Sequence, residues 1–228
     1  MRVLLLLAAI LALAALPLQA QTQAGRPGNV NDMILEVMRT DLGKDKEAMA
    51  MWLPQEFFVA AGMAQAPGLD SRELEKELAF LKDYAVFMVQ AKTKGEDGPV
   101  SLSTSQLRAL ATLVDESGRS VKPLTELPAK VEATLNAVRQ GFSAKGREDF
   151  RLLVFPGRSQ DGGPLMASPT RLGAISLRLA KVDAFPGMAL TWKTPLASFV
   201  KPVACAKCGE PLQPAWSFCP WCAQPAGK

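Results

Sequence analysis

The chain has 228 residues, of which 48% are hydrophobic and 21% are charged, and its formal net charge is +4. This composition is normal for a globular protein and supplies enough apolar residues for one main domain plus a small appendage. The chain contains no histidine, which excludes Ser-His and Cys-His catalysis, histidine general bases and histidine-containing metal sites.

The N-terminal residues 1–20 have the layout of a secretory signal peptide. Arg2 precedes an uninterrupted apolar run that ends at Pro17, and Ala20 offers a small residue at the cleavage position. The run is shorter than the about 20 residues that a membrane-spanning helix needs. We therefore predict export to the periplasm or secretion after cleavage near Ala20. The alternative is an uncleaved anchor over residues 3–18, the one case in which we expect contact with a membrane.

A polar linker rich in glycine and proline, residues 21–30, leads into a main domain, residues 31–193, whose first part predicts helices. One helix starts after the linker and ends at Gly43, a second covers 46–53, and Pro54 opens a third. Five methionines fall near these helices, and the simplest interpretation is that they belong to the core, as stripes at helical spacing usually do. The alternative is a flexible groove for a partner. These methionines are Met33, Met38, Met49, Met51 and Met63.

The rest of the main domain mixes one more pair of helices with several strands. Asp70 and Glu73 have the spacing of a capping box at the start of a helix, and Pro128 opens another helix. Strands are expected where β-branched and aromatic residues dominate or alternate with polar ones, and turns where glycine and proline interrupt them. The expected strands are 84–93, 107–114, 119–124, 151–155, 172–179 and 189–192. We therefore predict an α+β fold, with helices first and then a mainly antiparallel sheet or sandwich.

All four cysteines lie near the C-terminal end, after a proline-marked linker at residues 194–202. They form two C-x-x-C pairs with ten residues between the pairs: Cys205, Cys208, Cys219 and Cys222. This is the spacing of a four-thiolate zinc site, because each pair can place two sulfurs on one face of a tight turn. Gly209 follows the first pair and suits the positive φ that closes such a turn.

This stretch resembles the zinc-ribbon family, and we assign the ribbon to residues 203–224. The resemblance implies that the four cysteines bind one structural Zn²⁺. No catalytic motif is recognisable elsewhere in the sequence, so we predict no catalytic residue and no further cofactor. Phe218 matches the aromatic residue that precedes the second pair, whereas Ala223 stands where glycine is usual and Ala206 where proline is usual. A site closed by four protein ligands has no open position for substrate. So short a module cannot fold alone, and we expect it to unfold without metal.

Two other interpretations of the cysteines stay open: structural disulfides and a catalytic dithiol. Exported proteins meet an oxidising environment in which thiols pair, whereas zinc ribbons are mostly found in reducing compartments. A catalytic dithiol is expected near a βαβ pattern, and no such pattern surrounds either pair.

The predicted function is interaction with another protein, through the ribbon, the methionine-rich helices or both. One or two of the aromatic residues Trp216, Phe218 and Trp221 are expected in the ribbon core, and the remainder on a partner surface. The charge of the metal-loaded tail is near neutral, which argues against nucleic acid as the partner because phosphate neutralisation dominates such binding. The prediction is thus an exported, non-enzymatic protein. The alternatives are an exported thiol-disulfide or disulfide-stapled protein, and a nucleic-acid-binding ribbon protein if the N-terminus is not an export signal.

Overall fold

The computed structural model describes residues 29–43, 46–66, 68–143, 149–158, 165–182, 185–201, 203–212 and 216–226. The predicted signal peptide, residues 1–20, lies outside these ranges, as does the predicted linker up to residue 28. Among the described residues, no helix is both long and apolar enough to cross a membrane. The helices are α1 Val30–Val37, α2 Gln55–Gln65, α3 Ser71–Glu77, α4 Thr104–Leu110 and α5 Ala129–Ser143. The strands are β1 Met38–Gly43, β2 Lys46–Trp52, β3 Tyr84–Gly95, β4 Gly98–Ser101, β5 Ala111–Asp115, β6 Ser120–Val121, β7 Arg151–Pro156, β8 Gly173–Leu179, β9 Met188–Thr194, β10 Val203–Ala204 and β11 Pro211–Leu212.

Two antiparallel sheets form the main domain, which confirms the predicted α+β fold. In the larger sheet the strand order is β1-β2-β3-β4, and β7 pairs with the first half of β3. In the smaller sheet the order is β6-β5-β8-β9. Apolar residues alternate with polar ones along β8 and β9, so that one face of each strand is buried. This alternation is the pattern that a half-buried antiparallel strand requires.

Aromatic side chains join the two sheets in one core. The ring of Phe87 on β3 lies 5.3 Å from that of Trp192 on β9 and 5.7 Å from that of Phe155 on β7. All three side chains are fully buried. The indole N–H of Trp192 donates a hydrogen bond of 2.7 Å to the carbonyl oxygen of Val37, at the end of α1. The smaller sheet is therefore held to both the larger sheet and the N-terminal helix by one side chain.

The first part of the domain differs from its prediction, because two of the three expected helical stretches contain strands. The first helix ends at Val37 instead of Gly43, and residues 38–43 form β1. The stretch predicted as a second helix, 46–53, is the strand β2. Its residues are good helix formers, but pairing with β1 and with β3 determines the conformation. Pairing with neighbouring strands therefore outweighs the helix propensity of these residues, which is a small effect per residue.

The prediction of a strand over 107–114 is wrong in its first half, where α4 extends to Leu110. Ser103 caps this helix in a complete capping box: its hydroxyl accepts from the N–H of Gln106, whose side chain accepts from the N–H of Ser103. The strand begins only at Ala111. The S-x-x-Q pattern is a sequence signal for a helix start, and it favours a helix here over the predicted strand.

Other local predictions are confirmed. Pro54 and Pro128 immediately precede α2 and α5. The predicted capping box is confirmed for Asp70, whose carboxylate caps α3 by accepting from the N–H of Arg72 at 2.8 Å. Among the methionines, Met33 and Met51 are buried in the core. The core interpretation is therefore confirmed for these two residues.

The turn between β5 and β6 is organised by a buried carboxylate. Asp115 accepts hydrogen bonds from the backbone N–H and hydroxyl of Ser117, and from the backbone N–H and guanidinium of Arg119. Burial alone raises the pKa of Asp115, but these hydrogen bonds and the positive charge of Arg119 outweigh it and hold the pKa below its usual value. The carboxylate is thus ionised and fully partnered, as a buried charge must be.

The stretch predicted as a linker, 194–202, is attached to the main domain over much of its length. Thr194 is the last residue of β9, and the side chain of Leu196 is buried in the main core. The backbone N–H groups of Ala197 and Ser198 donate to the carboxylate of Glu36 on α1 at 3.1 and 2.9 Å. These contacts fix residues 194–198 on the main domain, before the predicted ribbon begins at residue 203.

Candidate metal centre

The first cysteine pair lies in the tight turn that connects β10 to β11. The backbone N–H of Gly209 donates to the carbonyl oxygen of Cys205 at 2.9 Å, and the N–H of Cys205 donates to the carbonyl oxygen of Glu210 at 2.8 Å. Gly209 has φ +76°, which confirms the conformation that its position predicts. A left-handed residue at this point reverses the chain, so that the sulfurs of Cys205 and Cys208 face the same side.

The second pair lies in a turn with the equivalent backbone hydrogen bonds. The N–H of Ala223 donates to the carbonyl oxygen of Cys219 at 2.8 Å, and the N–H of Cys219 donates to the carbonyl oxygen of Gln224 at 2.8 Å. Ala223 has φ +57°, so that it occupies the left-handed conformation that Gly209 occupies in the first turn. An L-residue with a Cβ atom adopts this conformation at a cost of about 1–2 kcal/mol. The two turns must therefore hold Ala223 in place against its own preference.

The two turns bring all four cysteine sulfurs together. The Sγ atoms of Cys205 and Cys222 lie 3.6 Å apart and those of Cys208 and Cys219 lie 3.5 Å apart. All four Sγ atoms lie within 4.8 Å of one another. Four sulfurs at about 2.3 Å from a tetrahedral metal are about 3.8 Å apart, which matches these separations. The four cysteines are thus arranged to hold a metal ion, as their spacing predicts.

A small apolar cluster supports the cysteines. The side chains of Cys205, Cys219 and Leu212 are buried, and Trp216 packs against them. The indole ring of Trp216 also lies 5.6 Å from that of Trp221. One tryptophan therefore belongs to the ribbon core, in agreement with the expectation that one or two of the three aromatic residues do so.

The remaining aromatic side chains of the ribbon face outwards. Phe218 is 61% exposed although the next residue, Cys219, is buried, and Trp221 is 56% exposed beside the half-buried Cys222. A cluster of this size buries too little apolar surface to fold without another source of stability. A metal ion held by the four cysteines is one such source, because its binding free energy in so small a module is also folding free energy.

The pKa values of the Cys205 and Cys208 thiols shift in opposite directions. The backbone N–H groups of Cys208 and Lys207 lower the pKa of the Cys205 thiol to about 6. The backbone N–H of Glu210 lowers the pKa of Cys208, but burial and the neighbouring thiols outweigh it and raise the pKa to about 12. Four thiolates cannot crowd together without a cation, because each negative charge disfavours ionisation of the next. Metal binding at this site therefore has to displace protons.

Comparison with known proteins assigns no family to the chain. No family profile matches it, and a search of the curated proteins finds no match. Among the solved structures, the chain is similar to the crystal structure of a DUF4426 family protein from Pseudomonas aeruginosa PAO1, with 10% sequence identity and a TM-score of 0.32. The similarity covers 69% of this chain and 93% of that chain. A likeness at this level assigns neither fold nor function.

Proposed function

We propose that this chain is an exported, non-enzymatic protein whose C-terminal ribbon holds one structural Zn²⁺ and contacts another protein. The observation that carries the proposal is the convergence of four cysteine sulfurs from two matching turns. The export part rests on the sequence of residues 1–20 alone.

Zinc is the metal that this donor set favours. Four thiolates in a tetrahedral arrangement are typical of zinc or of an iron–sulfur site. The two C-x-x-C turns around a single point match the structural zinc sites of small ribbons. Because all four coordination positions are taken by protein, the ion stabilises the fold and offers no position at which a substrate can bind.

The exposed aromatic pair supports the interaction part of the proposal. Phe218 and Trp221 project from a module whose fold depends on the metal, and aromatic residues are enriched in the cores of protein interfaces. Two large aromatic side chains held on short turns lose little conformational entropy when a partner covers them. We therefore assign the contact to this pair rather than to the buried methionines.

Photo-crosslinking of the full-length chain in its own exported fraction tests the contact. We expect a discrete crosslinked protein that disappears when both Phe218 and Trp221 are changed to serine, and when zinc is removed by a chelator. Leu172→Ser is the matched control, because Leu172 is 79% exposed in the main domain. Identical crosslinks from the aromatic double variant and from the control variant contradict the proposal.

A disulfide-stapled tail is the second candidate. Two sulfur–sulfur contacts connect the two pairs, Cys205 to Cys222 at 3.6 Å and Cys208 to Cys219 at 3.5 Å. In an oxidising compartment, loss of the metal leaves these thiols close enough to form disulfides after a small movement, since a disulfide needs an S–S distance of about 2.05 Å. Mass analysis under denaturing conditions separates the two candidates, because each disulfide removes two hydrogens.

A further inference from the structure

A cavity of about 320 Å³ lies between α4, α5 and β7 in the main domain. Its volume falls at the lower end of the about 300–1,000 Å³ range that is typical of small-molecule sites. None of the cysteines lines it. The proposed function of the ribbon therefore gives this cavity no role.

The charged residues that line the cavity are mainly cationic. Arg108 on α4, Arg139 on α5 and Arg151 on β7 line it, together with the carboxylate of Glu132 on α5. Three positive charges against one negative charge leave a local charge of +2. A cleft with walls of low dielectric concentrates this positive potential and attracts anions.

Among these residues, Arg108 points most directly to a bound anion. Its side chain is half-buried, yet no described residue forms a hydrogen bond or an ion pair with it. The guanidinium of Arg139 already donates to the side-chain oxygen of Asn136 at 2.7 Å, and that of Arg151 donates to the carbonyl oxygen of Phe150 at 3.1 Å. A partly desolvated guanidinium costs free energy unless its donors find acceptors. An anion in the cavity supplies them.

The other wall of the cavity is apolar. Leu135 and Val154 are buried there, and Phe150 and Leu152 are half-buried beside them. Convergent cations next to an apolar wall match a ligand with an anionic head and an apolar body. Guanidinium groups bind carboxylates through two parallel hydrogen bonds. The carboxylate of Glu132 disfavours ligands with several negative charges, such as nucleotides.

We propose that this cavity binds a small organic monocarboxylate with an apolar body. Arg108 holds the carboxylate, Arg139 adds positive charge, and the body of the ligand packs against Leu135 and Leu152. This site lies in the main domain and is separate from the cysteines of the ribbon.

Titration of the zinc-loaded full-length chain with octanoate and with 4-phenylbutyrate tests the proposal, using calorimetry and two-dimensional NMR. We expect saturable one-to-one binding of at least one of these carboxylates, with chemical-shift changes concentrated in α4, α5 and β7. The neutral analogue 1-octanol should bind at least about tenfold more weakly, because hydrogen bonds to charged groups are worth that much.

Variants identify the residue that binds the carboxylate. Arg108→Gln should weaken carboxylate binding at least about tenfold, whereas Arg178→Gln, at an exposed position on β8, should leave binding unchanged. If Arg108→Gln fails to fold, as judged by circular dichroism, Arg139→Gln serves as the second variant. Three results overturn the proposal: equal binding of octanoate and 1-octanol, undiminished binding by a folded arginine variant, or no binding of either carboxylate at millimolar concentration.

Discussion

The left-handed residues that follow the two cysteine pairs provide a paired test of the metal centre. Gly209 and Ala223 occupy equivalent places in the two turns, with φ +76° and φ +57°. Replacing Ala223 by glycine removes a Cβ atom from a conformation that disfavours it. Replacing Gly209 by alanine adds a Cβ atom in the same conformation. The two substitutions should therefore change zinc affinity in opposite directions.

The size of the effect follows from the backbone alone. A Cβ atom added at Gly209 meets no heavy atom within 4 Å, so no steric clash adds to the cost. The left-handed conformation costs an L-residue about 1–2 kcal/mol, and the greater freedom of glycine in the unfolded chain returns about 0.5–1 kcal/mol. A net change of about 0.5–1 kcal/mol corresponds to an about two- to fivefold change in affinity. In the proposed ribbon, which folds only with zinc, this change appears in the Kd.

Competition with a chelator of known zinc affinity measures the effect on the full-length chain. We expect Ala223→Gly to bind zinc about two- to fivefold more tightly and Gly209→Ala about two- to fivefold more weakly. The double variant should return close to the wild-type value, because each change acts on its own turn. The reasoning is refuted if both single variants weaken binding, or if neither changes it.

Three further predictions concern protonation and the core. Zinc binding at pH 7 should release about four protons into a weak buffer, because thiols of the unfolded tail have a pKa of about 8.5. The zinc affinity should therefore fall as the pH falls. A release of about three protons would indicate a folded metal-free ribbon in which Cys205 is already ionised. Trp192→Phe should lower the free energy of unfolding in urea by about 2–4 kcal/mol, since it shrinks a buried ring and leaves the carbonyl of Val37 without its donor. Trp52→Phe is the matched control, because the indole N–H of Trp52 donates to no described residue, and it should lower the free energy of unfolding by only about 1 kcal/mol. Equal losses from the two variants contradict the assigned hydrogen bond. Asp115→Asn should lower the free energy of unfolding by about 1–3 kcal/mol at pH 7. The fold lowers the pKa of Asp115, so the wild type loses the stability that the ionised carboxylate contributes as the pH falls through that pKa. The unfolding free energies of the wild type and the variant should therefore converge in acid.

The candidate metal centre could be predicted from the sequence because its geometry is local. A C-x-x-C pair and the residue that follows it form one tight turn, and the spacing of the pairs limits how the two turns can meet. The positive φ of Gly209 was predictable for the same reason. Ala223 was recognised as a departure from the usual glycine, and the structure shows that the backbone hydrogen bond from Ala223 to Cys219 forms without it.

The strand β2 could not be predicted because its cause is distant in the sequence. Residues 46–52 favour a helix by propensity, yet Ala48, Ala50 and Trp52 are buried on one face when the segment pairs with β3. That pairing joins Trp52 to Phe87, and no short window of the sequence contains both. The α4 helix is a different case, because the capping box at Ser103 and Gln106 was a readable local signal. The arginine-lined cavity, like β2, could not be predicted from the sequence, because α4, α5 and β7 contribute to it from separate parts of the chain.

The central claim is that the four cysteines hold one zinc ion in the exported protein. The most direct test is the intact mass of the chain expressed with residues 1–20 as its proposed leader. The chain is purified from the exported fraction without reductant, and its mass is recorded under native and denaturing conditions. We expect a chain that begins at Gln21, carries one zinc under native conditions and shows four free thiols after denaturation. A metal-free chain lighter by four hydrogens, with Cys205, Cys208, Cys219 and Cys222 in two disulfides, contradicts the account.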